Sequence, residues 1–541
     1  MNVLSKSAPL EESIAKMQAV LASVGCETTF SHEKHPLSHC YSVNIASVEA
    51  PNHIYANGKG SLSEASMASA LGEYIERLQT NNFFIDFYLP RRKYYPDEVA
   101  FEFDGAYLND ELHSFYNPNG EMHASDLVDY NSDYTDKVVA LPFIRQSNAE
   151  QTYIPINILS NLYVSNGLAT GNTPQEAQVQ ALSELFERHA KIEIIKNAYA
   201  LPAFPDDIVS SFPKLHSDVE ALRELGYIVE VLDASLGGKY PVTAISLINP
   251  NNATLFVSFG AHPILEVSLE RTMTELMQGR GLENLDTFEV PTFDMSIVSD
   301  SFNLESHFID SNGKLGFGFL NAHKSFTYTP WNYEGKNSAD EYSYLIAILE
   351  KEKKEMYLRE YNYLGFYSCQ MIVPDFSEVY PIEDMVYNNK NEGKRIRDMV
   401  FNFSEYDPED ILTHIESLDQ TLDVGKYIGV IFENTFTMLT FNAQIYLLLG
   451  DLDTAVELLE SGTDKTGHIV AELIHMSNAA LVWEEYSQGL FNIFTEEKVM
   501  RAVAILNGEV SLIDLTLHQD YHNMLAMFDR LEVKKEILFL G

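Results

Sequence analysis

The chain has 541 residues, 45% of them apolar and 12% aromatic, and a formal charge of −43. That length suggests about two to four domains, and the apolar share can furnish a large core. The acidic excess excludes a general nucleic-acid or acidic-membrane binder, which needs a basic footprint.

Most of the acidic excess is expected on a solvated surface. An anionic ligand would then have to be met by metal ions, a few placed cations or helix N-termini. The start, MNVLSKSAPLEESIAKM, has no apolar signal core. No stretch approaches the roughly 18 uncharged apolar residues of a membrane helix. Cys26, Cys40 and Cys369 are too few and too scattered for a disulfide framework, which points to a reducing cytoplasm.

Residues 9–24 have helical periodicity, with Glu11 and Glu12 suited to a first turn. The stretch SHEKHPLSHC gathers His32, His35, His39 and Cys40, a composition that can bind zinc. It lacks the HExxH pattern and a second pair of ligands, so it reads as a polar surface loop. Residues 41–56 read as strand and turn, and 62–79 as a helix. GKGS at 58–61 is not a P-loop, because the Gly-x4-Gly-Lys spacing is missing; its glycines suit a turn, and Lys59 would be near any phosphates bound there.

Short β-rich runs, KVVALPFI and YIPINI, fall within 137–165. A Gly/Asn-rich loop, SNGLATGNTP, follows and offers backbone N–H donors to phosphate at a helix start. Thr173 suits the cap and Pro174 an early position of a helix over about 174–198. Three strands with turns occupy 226–259, and a helix over about 264–280 follows FGAHP. No proline follows Pro408, and residues 441–462 read as helix, Gly-Asp turn, helix, like a tetratricopeptide hairpin. The chain is cut near 385, into 1–385 and a helical 386–541. Trp331 and Trp483 read as packing residues.

Three helices carry one polar pattern. Positions i, i+4 and i+7 share a narrow helical face. Ser69, Glu73 and Glu76 have that spacing, as do Gln180, Glu184 and Glu187, and Arg271, Glu275 and Gln278; Glu176 extends the second set. Two readings stand. In one, each stripe is a solvated face with Glu-to-Arg pairs, Glu73 with Arg77 and Glu184 with Arg188, worth a few tenths of a kcal/mol each. In the other, the stripes converge, in which case carboxylates about 4 Å apart repel by roughly 4 kcal/mol per pair at an effective dielectric of 20 and must hold protons or cations. Oxygen-only ligands suit Mg2+ rather than zinc, and several acids suggest more than one ion bridging a polyphosphate.

The blocks SALGEYIER, SNGLATGNTPQEAQVQALSELFER and ERTMTELMQGR, in that order, resemble the signature blocks of the YcaO family, and KSAPLEESI resembles its N-terminal segment. The resemblance covers roughly residues 1–385. It implies a mixed α/β core of YcaO type, with β-sheets and packed helices, ahead of an all-α tetratricopeptide-like region. It further implies ATP and Mg2+ as cofactors, used to activate an amide or carboxylate oxygen of a protein or peptide substrate.

Position by position, the resemblance implies metal-binding roles for Glu73, Glu76, Glu184 and Glu187, with Glu176 and Glu275 as further acidic ligands. It implies nucleotide contacts for Lys6, Ser13, Ser69, Asn172, Arg188 and Arg271; a salt bridge to Glu184 is the other reading of Arg188. Cyclodehydratases of the family commonly end in a proline-rich tail, whereas this chain ends KKEILFLG. That difference weakens the expectation of azoline formation but not that of ATP binding. The helical addition resembles stand-alone bacterial members, associated with β-methylthiolation of a small-subunit ribosomal protein as accessory factors to a radical methylthiotransferase. A second reading is an ATP-sensing scaffold that recruits a partner through its C-terminal helices without turnover. Those helices suit a partner groove or a homodimer interface equally.

Overall fold

The computed structural model describes residues 3–48, 50–309 and 311–540, with side chains described as far as Leu538. Helix α1 (Leu10–Ser23) has Glu11 and Glu12 in its first turn and buries Leu10, Met17, Val20 and Leu21. Strands β1 (Thr28–Leu37), β2 (Cys40–Ser47) and β3 (Tyr55–Gly60) form an antiparallel sheet in the order β1-β2-β3. The His-rich stretch is therefore not a surface loop but most of β1, its turn and the start of β2. His39 instead meets Asp218 at 3.2 Å, and His35 stacks on Tyr41.

Helix α2 (Ser63–Gln79) lies on one face of this sheet. The approach is very close: a Cβ on Gly58 would stand 2.0 Å from the Ser66 carbonyl oxygen, and one on Gly60 would stand 2.7 Å from the Ala65 Cβ. Only glycine lets strand and helix backbones meet at such a distance.

A six-stranded sheet follows, built from β4 (Val99–Phe101), β5 (Val138–Arg145), β6 (Gln151–Pro155) and β7 (Leu168–Gly171), with two later strands. The end of YIPINI departs from the expected β-run, because Ile156–Ile158 already turn helical. The Gly/Asn-rich stretch departs further, since its centre is β7 rather than a loop. Helix α3 (Pro174–Lys196) starts directly behind β7, with the Thr173 hydroxyl accepting from the Glu176 N–H at 3.2 Å.

Strands β8 (Ile228–Asp233), β9 (Val242–Asn249) and β10 (Thr254–Ala261) form a third antiparallel sheet, ordered β10-β9-β8, whose last strand is buried throughout. Helix α4 (Leu265–Met277) follows, with Gly260 close against it: a Cβ there would stand 2.6 Å from the Thr272 nitrogen and 2.7 Å from the Ser268 carbonyl oxygen. Helices α5 (Ser301–Ile309) and α6 (Ser338–Lys351) precede β11 (Tyr357–Tyr361) and β12 (Tyr367–Ile372), which complete the large sheet as β4-β5-β11-β12-β7 with β6 beside β5.

Beyond β12 the chain is helical. It includes α7 (Met438–Leu449), the turn at Gly450 and Asp451, α8 (Leu452–Ser461), and α9 (Gln519–Leu540). This region shares an apolar core with the N-terminal sheets, in which Val43, Tyr74 and Phe84 are joined with Met524, Phe528 and Leu531. Phe528 meets Phe84 edge to face, and the Tyr521 hydroxyl donates to the Tyr88 carbonyl at 2.7 Å.

Lys535 is fully buried on α9, where its ammonium contacts Asn81 and stands 3.2 Å from Glu532. Lys535→Met would leave Glu532 without its cation in a dry setting. The expected cost is about 3–5 kcal/mol, read by denaturant unfolding, with Glu532→Gln restoring part of it. Among the described residues no helix is long and apolar enough to cross a membrane.

Candidate functional site

Three strand–helix units position the acids. Glu73, Glu184 and Glu275 each stand fifteen residues beyond a position at the end of β3, β7 or β10, namely Gly58, Ala169 and Gly260. The same spacing on the same strand-to-helix connection carries the three stripes to a common place.

On α2, Glu73 is half-buried and Glu76 buried. Arg77 stands between them, 3.6 Å from Glu73 and 3.4 Å from Glu76. On α3, Arg188 pairs with Glu184 at 2.8 Å and donates to Asn166 Oδ1 at 2.8 Å, its plane 4.4 Å from the centre of the Phe308 ring. Both helix-face ion pairs foreseen in the sequence thus exist, and the stripes converge as well. Burial pushes Glu76 up to about 8; Arg77 opposes that rise, while the charges of Glu184 on α3 and Glu73 on α2 add to it. Glu73 is raised by burial, lowered by Arg77 and raised again by Glu184. Burial also raises Glu187, against Lys59, Arg271 and Lys191. Acids of two helices thus act on one another directly.

Helix α4 adds Glu275 and Arg271. Glu275 is ion-paired with Lys59 of β3. Arg271 donates to the Ala261 carbonyl at 2.8 Å; burial lowers its pKa, with Glu187, Glu184 and Glu341 opposing. Lys191, one turn beyond Glu187, holds the His307 carbonyl at 2.6 Å and the Ser311 hydroxyl at 2.8 Å, tying α5 to the same end of α3.

A second group forms where the N-terminal segment crosses the start of α3. Glu176 is buried and accepts from the Ser7 N–H at 3.0 Å and from Asn172 Nδ2 at 3.2 Å, with Lys6 at 3.4 Å. Burial works to raise Glu176, but Lys6 and these donors hold it below the usual carboxylate range. Ser13, buried on α1, donates to Asn172 Oδ1 at 3.1 Å. Lys6, Ser13, Asn172 and Glu176 are therefore one connected set. Arg271 links it to the first, because the charge of Glu341 acts on Arg271 and those of Lys6 and Arg271 act on Glu341. Ser69 is half-buried on α2, one turn before Glu73 on the same face.

Several of these partners were not singled out in the sequence. Arg77 appeared only as half of a surface pair, and Lys59 only as a residue near phosphates. Ser5, His262 and Glu341 carry no sequence signal. Ile264 N–H donates to His262 Nδ1, which leaves the proton on Nε2 to reach the Ser5 hydroxyl at 2.9 Å. Ser5 in turn donates to Glu341 at 2.6 Å. The expected loop donors for phosphate are also corrected. Residues 168–171 pair with β12, from Leu168 opposite Gln370 to Gly171 opposite Tyr367, so only Asn172 and Thr173 lie between β7 and the start of α3.

Among the described residues, no three of His, Cys, Asp and Glu stand ready around a metal ion; the acids are turned to Arg77, Arg188 and Lys59 instead. The donor set nevertheless fits a hard divalent ion. It is all carboxylate oxygen, drawn from three helices, and most of its members reach solvent.

Residues 57–377 match the family described as YcaO cyclodehydratase, ATP- and Mg2+-binding. The chain belongs to the YcaO family. It is 42% identical over 430 residues to the ribosomal protein S12 methylthiotransferase accessory factor YcaO of Escherichia coli, covering 77% of this chain and 73% of that one. It is 40% identical over 480 residues to an uncharacterized protein of Haemophilus influenzae, covering 84% and 81%. Its fold resembles that of a heterocyclase solved in complex with substrate and cofactor, at a TM-score of 0.50 and 17% identity, covering 71% of this chain and 55% of that one. The architecture is thus a YcaO-type fold of sheets and helices with a helical C-terminal region.

Proposed function

We propose that this YcaO-family protein binds ATP with Mg2+ and uses it to activate an amide or carboxylate of a protein substrate, as an accessory factor in β-methylthiolation of a small-subunit ribosomal protein. The observation that carries the reading is the gathering of Glu73, Glu76, Glu184 and Glu187 from two chain-distant helices into one repelling group, with Glu275 of a third helix joined to it through Lys59. A protein keeps such a group when a cation answers it. The printed name of the Escherichia coli relative supports the accessory role and a ribosomal-protein partner.

In this reading Glu73, Glu76, Glu184 and Glu187 hold the metal, with Glu176 and Glu275 as further acids. Lys6, Ser13, Ser69, Asn172, Arg188 and Arg271 hold the nucleotide. When bound, ATP with Mg2+ would supply the phosphoryl group that turns an amide or carboxylate oxygen into a leaving group. The chain's own part is placement and charge. Lys6, on the strap held by Ser5 and Ser7, can leave Glu176 for a phosphate oxygen. Arg77 and Arg188 balance the acids until metal arrives. Nucleotide binding is assigned to 1–385. Partner contact is assigned to 386–541, where the tetratricopeptide-like hairpin of α7 and α8 exposes Leu448, Leu449 and Leu452 at its turn. Cys26, Cys40 and Cys369, all buried, fit a reducing cytoplasm.

Titration calorimetry with ATP is expected to show uptake only with Mg2+ present. Phosphate release is expected to rise with the ribosomal-protein substrate and to vanish in Glu73→Ala. Nucleotide uptake indifferent to Mg2+ would sink the reading.

A further inference from the structure

We propose that Lys59 is a further phosphate-binding residue of this site, held by Glu275 in the free protein and released to the nucleotide when metal takes over the acids. This rests on the ATP–Mg2+ reading above.

Placement comes first. Gly58 and Gly60 press β3 onto α2, so that face of the strand has no room for a side chain. Lys59 points to the other face, as alternation along a strand requires. It lies opposite Ser42 of β2. Ser42 accepts from the Gly279 N–H at 3.1 Å, just past the end of α4, which shows that this face looks toward α4. The first sheet therefore lies between α2 and α4 and hands one side chain across.

That side chain meets acids from all three helices. Lys59 is ion-paired with Glu275 on α4, and the charges of Glu187 and Glu184 on α3 and Glu73 on α2 also act on it. Arg77 and Arg188, by contrast, pair with acids of their own helices. Its side chain is 30% exposed, so the ammonium can be reached from solvent.

The residue type fits the role. An ammonium on a flexible stem is a compact charge that can swing between a carboxylate and a phosphate oxygen, whereas a guanidinium is shaped for a fixed two-point contact. With Glu275 given over to a divalent ion, the Lys59 ammonium would lose the partner that holds it and would be free to meet a phosphate oxygen.

The experiment compares wild type, Lys59→Met and Lys59→Arg by calorimetry, first with Mg2+ alone and then with Mg2+ and a non-hydrolysable ATP analogue; thermal unfolding checks that each variant folds. Lys59→Met is expected to bind Mg2+ alone about tenfold more tightly, because a competing cation is gone, and the analogue about tenfold more weakly, because a phosphate contact is lost. Lys59→Arg keeps the charge and should recover most of the analogue binding. Lys59→Gln carries the same two expectations as the methionine variant should that one not fold. A lysine that merely supports the fold would shift both affinities in the same direction. Shifts of the same sign, or none, in protein whose wild type binds the analogue overturn the inference alone. A wild type that binds no analogue overturns the ATP–Mg2+ reading and this inference together.

Discussion

Glu184→Gln is expected to weaken Mg2+-linked ATP binding at least about a hundredfold while changing the melting temperature of the free protein little. Glu184 is the acid that acts across the interface between helices. Its charge raises Glu73 and Glu76 on α2 and Glu187 on its own helix. Neutralising it relieves three repulsions but gives up the ion pair with Arg188 at 2.8 Å and the attractions to Arg77, Lys59 and Arg271. That pair is partly exposed on both sides and so contributes little, about 1 kcal/mol or less, and Arg188 keeps Asn166. Repulsions and attractions thus nearly offset in the free protein, while the divalent ion loses a ligand. Differential scanning fluorimetry with and without Mg2+ and ATP reads both effects. A variant that is less stable when free and unaltered in ligand binding would show that Glu184 serves the fold only.

The second large effect is on pH. The free protein is expected to lose stability from about pH 5 to about pH 8, and Mg2+ with ATP is expected to cancel much of that loss. Glu76 is held protonated in the fold up to about 8, against 4.5 in an unfolded chain. Across that window the folded state binds the extra proton, so stability is greatest at the acid end and falls as pH rises through the folded value. Glu73 and Glu187 are raised as well and push the same way. Lys191, lowered from 10.5 to about 8, acts only above the window, whereas His53, His189 and His262, all lowered by burial, oppose the fall below about 6.5. Glu98 is also raised to about 8, so the diagnostic is a difference: the slope should flatten in Glu76→Gln relative to wild type. Chemical denaturation at pH 5, 6.5 and 8 measures it. An unchanged slope in the variant would refute the assignment. Metal binding ionises the acid, so Mg2+ uptake should also release protons near neutral pH, visible as a buffer-dependent heat.

The three stripes were legible because a helix repeats its own geometry, and spacing alone places Ser69, Glu73 and Glu76 on one line. The cap at Thr173, the first-turn proline and the Gly-Asp turn at 450 were legible for the same local reason. What was not legible depends on partners far along the chain. Residues 168–171 look like a loop until β12 supplies hydrogen bonds from 367–370. The His-rich stretch looks like a surface segment until β2 pairs with it. Lys59 gained its meaning only from the pressure of α2 on Gly58 and Gly60, which directs it toward Glu275. Glu341 and His262 join the site through Ser5, and no spacing rule connects those three.

The threefold strand–helix arrangement bears on how the protein comes into being. On the proposed reading, no one strand–helix unit carries enough acids to grip a metal–nucleotide pair, and the contributing segments are spread from the N-terminal segment at Lys6 to α4. A nascent chain that has emerged only as far as α3 would on that reading be blind to ATP, and the ligand would engage only a body whose distant pieces have all docked. Pairings between such remote stretches form slowly, and a ligand that recognises only the finished article pulls the equilibrium toward it. Cellular nucleotide would thus act as an inspector of assembly, shielding completed molecules from proteolysis and leaving half-built ones exposed.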